Sequence, residues 1–286
     1  MKATVFRIFC ASILCGTLGC SADLAAESAD YGTAKIRFLD VGQGLSVLFD
    51  FGSLGGNFNL YDFGNDSADF WNSLKNFGVG RLNWAFVGHW HRDHAGGLLE
   101  WDGSIPIDTI FYGPDTGGAW LRDSVLKLAK RYGTSAVKVF RGRKIECGEW
   151  SCQILWPPEY KRCGENNASA VLQISDGKSK ALFPGDLERE GESELLEMSG
   201  DISADLLQVG HHGGKTSSSL RFLERVAPKM AVISAGKRNR YGHPAVSTLN
   251  KLELVVGDSA SIFRTDILGN VAIEWKFGKG LWKGNF

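Results

Sequence analysis

His89-Trp90-His91-Arg92-Asp93-His94 follows directly on the apolar run Trp84-Ala85-Phe86-Val87, so three imidazoles and a carboxylate leave a strand end on one short loop. Neutral imidazole and carboxylate are the donors that borderline divalent cations such as zinc accept, and a loop rooted in a buried strand holds them rigidly. His89 and His91, two apart, share a direction on an extended backbone, whereas the adjacent Asp93 and His94 diverge. The spacing therefore points to two metal ions rather than one. Two neighbouring ions need a bridging carboxylate from another strand end, and Ala181-Leu182-Phe183-Pro184-Gly185-Asp186 supplies it.

The chain has six histidines in all. The other three are the pair His211-His212, after Leu206-Leu207-Gln208-Val209-Gly210, and His243, after Met230-Ala231-Val232-Ile233-Ser234. A single histidine is ordinarily a surface or hydrogen-bonded core residue. Six gathered behind apolar, β-prone segments read as one site.

At this point the chain resembles the metallo-β-lactamase fold superfamily, and within it the hydrolase domain of the competence protein ComEC and its stand-alone relatives. The stretches that carry the likeness are Phe38 to Gly44, Leu60 to Gly64, Gly88 to Gly97, Asn166 to Val171, Phe183 to Asp186, Val209 to Ser218, Asn239 to Pro244 and Arg264-Thr265-Asp266. The resemblance implies an αββα four-layer sandwich with the metal site at one edge of the paired sheets; composition alone gives only α/β. It implies that His89, His91 and Asp186 hold one ion, and that Asp93, His94, Asp186 and one late histidine hold the other. A water shared by the ions would lose its proton to become the nucleophile. His211 is the preferred late ligand, which makes Asp93, Asp186 and His211 the catalytic set. Asp62 is expected to brace the metal loop; His212, His243, Asn239 and Lys215 are expected around it or facing substrate. Many superfamily members carry another histidine in mid-chain, but none lies between Ala95 and Gly210 here, which makes Asn167 and Ser169 candidates for substrate or water contacts. Where the ComEC-type motif continues Gly-Gln-Gly with an acidic residue, this chain has Leu45.

Two divalent cations are the implied cofactors, Zn2+ foremost, with Mn2+ compatible with the same donors. Lys215 and Ser217-Ser218-Ser219 form a helix start suited to an anionic oxygen such as phosphate, or simply an N-cap. The leading expectation is hydrolysis of a phosphodiester, small or polymeric, with nucleic acid the polymer the family suggests. Ester or amide hydrolysis, including a phosphocholine-type ester or a lactam, and a non-enzymatic metal-binding interaction module are the alternatives. A tight, non-specific nucleic-acid binder advertises a basic excess, whereas the formal net charge here is +0. Lys237, Arg238 and Arg240, just before His243, are the local exception.

At 286 residues, 43% hydrophobic and 22% charged, the chain can bury one substantial core, and residues 33–280 read as a single domain. Residues 1–22 read as a signal peptide: Lys2 and Arg7 precede an apolar run too short to span a bilayer, followed by Cys20-Ser21-Ala22. Export to the periplasm or exterior is expected, with Leu18-Gly19-Cys20 resembling an imperfect lipoprotein box that would anchor the chain through Cys20. No transmembrane bundle is expected, and sequence says nothing of oligomeric state. Cys147 with Cys152, across a hairpin, or Cys152 with Cys163 are the disulfide pairings left open.

Periodicity predicts strands over 35–41, 45–51, 57–62, 84–87, 152–156, 170–174, 181–184, 205–209 and 231–234, and helices over 68–77, 120–132, 219–226 and 247–255. A closing hairpin, 262–268 with 271–277, is expected to turn at Gly269-Asn270. Trp90, in the ligand loop, is expected to wall the cleft.

Overall fold

The structure is a computed structural model and describes residues 32–52, 57–66, 68–114, 118–159 and 163–283. The expected leader and Cys20 lie outside the described residues. The first half begins with three antiparallel strands, β1 (Thr33–Phe38), β2 (Val47–Asp50) and β3 (Phe58–Tyr61). It continues through α1 (Ala68–Asn76), β4 (Leu82–Val87), α2 (Arg92–Ala95), β5 (Ile107–Tyr112), α3 (Ala119–Arg131) and β6 (Ser135–Lys138), with β3 to β6 parallel. β7 (Lys144–Cys147), β8 (Trp150–Trp156), β9 (Val171–Ser175) and β10 (Lys180–Phe183) then form an antiparallel meander. Next come α4 (Arg189–Met198), β11 (Leu206–Gln208), α5 (Leu220–Val226), β12 (Met230–Ile233), α6 (Val246–Val256), β13 (Ile262–Arg264) and α7 (Thr265–Leu268). β14 (Val271–Lys276) and β15 (Gly280–Lys283) close the chain.

These strands make two sheets, one of eight in the order β15-β14-β1-β2-β3-β4-β5-β6 and one of seven in the order β13-β12-β11-β10-β9-β8-β7. Burial explains the layering. β1 alternates, turning Ala34, Ile36 and Phe38 inward, whereas five of the six β4 residues are buried because that parallel strand is covered on both faces. Three apolar clusters follow, one for each interface between layers. The middle one lies between the sheets and stacks Tyr61 on Phe86 at 5.2 Å and sets Phe49 edge-on to Phe183 at 5.1 Å. Each such fully buried aromatic contributes about 1.5–3 kcal/mol. The second cluster joins the eight-stranded sheet to α1 and α3, where Leu121, Val125 and Ala129 recur along one helical stripe. The third joins the other sheet to α4, α5 and α6 through residues such as Leu195, Phe222 and Leu252. This is the αββα sandwich.

The end of the chain departs from expectation. Ile262–Arg264 and Val271–Lys276 are not a hairpin: β13 pairs in parallel with β12 in one sheet, and β14 pairs antiparallel with β1 in the other. Thr265–Leu268 is a helical turn that carries the chain across, and the real hairpin is β14 with β15. β5, β6, β7, β15 and α4 are elements the periodicity did not predict. The open cysteine pairing resolves as Cys147–Cys152, joining the ends of the β7–β8 turn, while Cys163 is buried elsewhere. Asp176, at the β9–β10 turn, ties the sheets together by accepting from Lys178 N, Ser179 N, Trp275 Nε1 and Gly278 N. No helix among the described residues is long and apolar enough to cross a membrane.

Candidate metal centre

His89 leaves the end of β4, and α2 carries Asp93 and His94 one turn later. This loop is stitched to the neighbouring turn: Leu45 N donates to Asp93 O at 3.0 Å and Phe63 N to His94 O at 2.6 Å. Gly44 permits the close approach, since a Cβ there would lie 2.6 Å from Asp93 O. Leu45 itself is fully buried in the core between the sheets. The second sheet supplies the opposing wall. Asp186 stands just beyond β10, its N–H donating to Ser169 Oγ at 3.1 Å, while Gly185 N donates to Gln208 Oε1 at 2.8 Å.

Two groups of donor atoms result, each within 4.8 Å: His89, His94 and Asp186, and Asp93, His94 and His212. His94 Nε2 lies 3.1 Å from Asp186 Oδ2 and 3.3 Å from His212 Nε2; His89 Nε2 lies 3.9 Å from the same carboxylate oxygen. His212 Nε2 is 3.4 Å from Asp93 and 3.5 Å from Asp186. Asp62, fully buried with φ of 59°, accepts from His94 Nδ1 and from Gly88 N, both at 2.7 Å. An ionised carboxylate only accepts, so the proton sits on Nδ1 and His94 presents Nε2 to the cluster. The same logic holds for His212, whose Nδ1 donates to Ser234 O at 2.9 Å.

Burial alone would neutralise these groups, yet their proximity decides otherwise. Desolvation pushes Asp186 upward, but the imidazoles of His94, His212 and His89 hold it well below the usual carboxylate range. Asp93 behaves likewise, with His212 and His94 outweighing burial. His94 is raised well above an ordinary imidazole because Asp186 and Asp62 overcome its desolvation, whereas burial and the neighbouring His94 press His89 well below. Both ring nitrogens of His89 and Asp186 Oδ1 are buried without a hydrogen-bond partner. Such orphaned groups cost free energy unless something satisfies them, and convergent imidazole and carboxylate donors fit a divalent cation.

Several expected residues lie elsewhere than expected. His211 does not join the compact groups; His212 does. The pair is not on a strand but in a left-handed turn, with φ of 50° and 54°, which swings His212 inward and leaves His211 at the rim. There His211 Nε2 is 3.8 Å from Asp186, and Nδ1 faces Thr216 Oγ1 at 3.2 Å and Glu188 Oε1 at 3.3 Å. His91 turns to Glu165 at 3.1 Å, its ring 4.6 Å from that of His89. Asn167 does not face the cleft: its Oδ1 accepts from Glu188 N and Gly191 N, capping α4, while the adjacent Asn166 lines the cleft. Ser169 touches Asp186 only through the backbone N–H already given.

Lys215 is exposed, and the Ser217-Ser218-Ser219 helix start is no anion site, since Glu192 already accepts from Ser218 N at 2.5 Å and Ser219 N at 2.9 Å. Ser219 also serves as the N-cap, accepting from Phe222 N. Asn239 clamps the loop before His243 with its side chain and lines a second cavity beside the cleft, and His243 lies with its ring 5.5 Å from that of His211. Burial together with His211 and His212 presses His243 down to about 4. Trp90 is not a cleft wall either; it is 4% exposed and packs 5.6 Å from Tyr112. Gln43, Asn166 and Tyr241 line the cleft although spacing did not single them out; each lies in a stretch that carries the family likeness. The cleft over the cluster measures about 340 Å³ and is lined by Gln43, His91, Asp93, Asp186, His212 and Tyr241 among others.

Comparison with known proteins agrees with this geometry. ComE operon protein 3 of Bacillus subtilis (strain 168) is 36% identical over 154 residues, 54% of this chain and 20% of its own length. Competence protein ComA of Neisseria gonorrhoeae is 31% identical over 265 residues, 89% of this chain and 34% of its own length. The chain thus spans 20% and 34% of the lengths of these curated relatives. Among solved structures, the metallo-beta-lactamase fold protein YhfI from Bacillus subtilis superposes with a TM-score of 0.55 at 13% identity, covering 88% of this chain and 100% of that one. Residues 39–237 match the profile of the Metallo-beta-lactamase superfamily, and with the sandwich and its edge cluster in place the chain belongs to that superfamily.

Proposed function

We propose that this protein is a metal-dependent hydrolase of phosphodiesters, with nucleic acid the polymer that its likeness to competence proteins suggests. The observation that carries the reading is the meeting of His89, Asp93 and His94 from one sheet with Asp186 and His212 from the other in a buried cluster with unsatisfied donors. His89 and Asp186, joined by His91 on release from Glu165, would hold one divalent ion, and Asp93, His94, His212 and Asp186 the other, with zinc favoured by the imidazoles and manganese compatible. Bound there, such ions supply Lewis acidity to a phosphoryl oxygen and bring the acidity of bound water to about pH 7.

The chain's own groups do the rest. Asp62 fixes the His94 ring and its tautomer, and Ser169 sets the backbone that aims Asp186. Glu188 and Thr216 hold His211 Nδ1, leaving Nε2 at the cleft to hand a proton to the departing oxygen. Export is part of the proposal: the basic-then-apolar start of the chain and the Cys147–Cys152 bond suit an oxidising compartment.

The test joins metal content, measured by mass spectrometry after equilibration with Zn2+ or Mn2+, to turnover of bis-p-nitrophenyl phosphate. Two bound equivalents and turnover lost in Asp186→Ala are expected. Turnover of a phosphocholine ester or a lactam in place of the diester would replace the substrate class, and absence of both metal and turnover would remove the enzyme.

A further inference from the structure

Tyr241 is a large aromatic residue that stands 54% exposed at the lip of the cluster, while the aromatic residues of the three cores are buried. Its loop is held still. Asn239 Nδ2 donates to Gly236 O at 2.9 Å and His243 O at 2.6 Å, and Asn239 Oδ1 accepts from Tyr241 N at 3.1 Å and His243 N at 3.0 Å. Gln43 Oε1 anchors the start of the loop by accepting from Gly236 N at 3.1 Å. The Tyr241 ring lies 5.7 Å from that of His243 and within 27° of parallel, which extends the line of rings outward from the cluster. Arg240 donates to the Tyr241 hydroxyl at 2.9 Å, its guanidinium carbon 5.0 Å from the ring centre, and it meets no carboxylate among the described residues.

The space around this ring adjoins the site. A second cavity of about 450 Å³ shares Gln43, Arg92, Asp93 and Tyr241 as walls with the cleft over the cluster and adds Asn65, Asn239 and Arg240. Tyr241 thus stands between the cleft that holds Asp186 and the cavity that holds Arg240. Arg92 is answered there by Asp66, which leaves Arg240 as the cation open to an incoming anion. An immobilised, half-exposed ring beside an open guanidinium is the pairing that takes a flat base on its face and the attached phosphate at its edge. Little side-chain freedom is lost on binding because the loop is already fixed.

We propose that Tyr241 and Arg240 form a substrate subsite that stacks one unpaired nucleobase next to the scissile phosphodiester, which makes single-stranded nucleic acid the preferred polymer. The subsite rests on the phosphodiesterase reading for its orientation on the substrate. Its test compares thymidine 5′-(p-nitrophenyl phosphate) with methyl p-nitrophenyl phosphate in wild type, Tyr241→Ala and Tyr241→Phe. The ratio of kcat/KM for the nucleotide to that for the methyl ester should fall roughly tenfold in Tyr241→Ala and hold in Tyr241→Phe. An equal fall for both esters in Tyr241→Ala overturns the subsite.

Binding is read separately, in chelator, by fluorescence anisotropy of a labelled oligo(dT). Tyr241→Ala should weaken it about tenfold, Tyr241→Phe should not, and the matching duplex should bind more weakly than the single strand. Equal oligo(dT) binding by wild type and Tyr241→Ala, or no preference for the single strand, overturns the proposal whatever the turnover. Discriminating binding without cleavage of either ester upholds the subsite and removes the hydrolase instead.

Discussion

Replacing Asp62 by Asn isolates the bracing of the metal loop. The wild-type carboxylate accepts two hydrogen bonds of 2.7 Å with no exposure to water, one from His94 Nδ1 and one from Gly88 N. Asparagine is nearly isosteric but has one acceptor oxygen, so one donor is left facing an amide NH2 group. If the Gly88 bond survives, His94 is driven toward the tautomer protonated at Nε2, which removes its lone pair from the cluster. A charge-assisted hydrogen bond of this kind contributes about 1.5–3 kcal/mol. That corresponds to a fall in metal affinity on the order of 10–100-fold, the usual range for residues that orient a metal ligand. Competition with a chromogenic chelator at fixed pH measures the affinity, and circular dichroism of the metal-free variant checks that it folds. A folded Asp62→Asn variant that binds zinc within about twofold of wild type would refute the bracing role.

Three further outcomes follow from the packing. Asp176→Asn should lose about 1–2 kcal/mol at neutral pH, seen as a Tm lower by roughly 2–8 °C, because Trp275 Nε1 and three backbone N–H groups share that carboxylate. Burial pushes Asp176 up but those donors pull it below its ordinary value, so its stabilisation is present above about pH 4 and is lost as pH falls through the folded value; the gap between variant and wild type should close in acid. Gly44→Ala would set a Cβ 2.6 Å from Asp93 O and should cost about 1–3 kcal/mol in urea unfolding together with weakened metal binding. Glu192→Ala strips the α5 start of the carboxylate that Ser218 N and Ser219 N share and should destabilise by about 2–3 kcal/mol in the same assay.

The metal loop was legible because its signal is local, whereas the sandwich was read through the family likeness, since apolar runs alone give only α/β. A buried parallel strand reads as an unbroken apolar run, and His89 to His94 places donors at spacings that no packing role requires. α4 was not legible, since Arg189-Glu190-Gly191-Glu192 carries no apolar stripe and its start is fixed by Asn167, 21 positions before Glu188. β6 is mostly exposed at the edge of its sheet and shows no alternation to read. Ile262-Phe263-Arg264 looked like half of a hairpin because β-propensity does not say which sheet a strand joins; the helical turn at Thr265–Leu268 makes that choice. His211 and His212 exchanged expected places for a similar reason. Strand alternation cannot phase two residues that both adopt left-handed backbone, and only the turn beneath them decides which ring enters. Tyr241 lay inside the Asn239 to Pro244 stretch, but its own part was hidden because an exposed tyrosine in a loop shows no role until a second cavity is seen beside it.

The cluster draws its donors from halves of the chain that are synthesised far apart: His94 and Asp186 are separated by 92 positions, and His212 comes later still. Until the two sheets close on each other, the histidine-rich loop on one and Asp186 with His212 on the other remain apart. The donor set is therefore complete only once both sheets have closed, which ties metal binding to completion of the fold. A fault anywhere in the seam between the sheets, even at the Asp176 tie far along the chain from the histidine loop, would be felt where the donors meet.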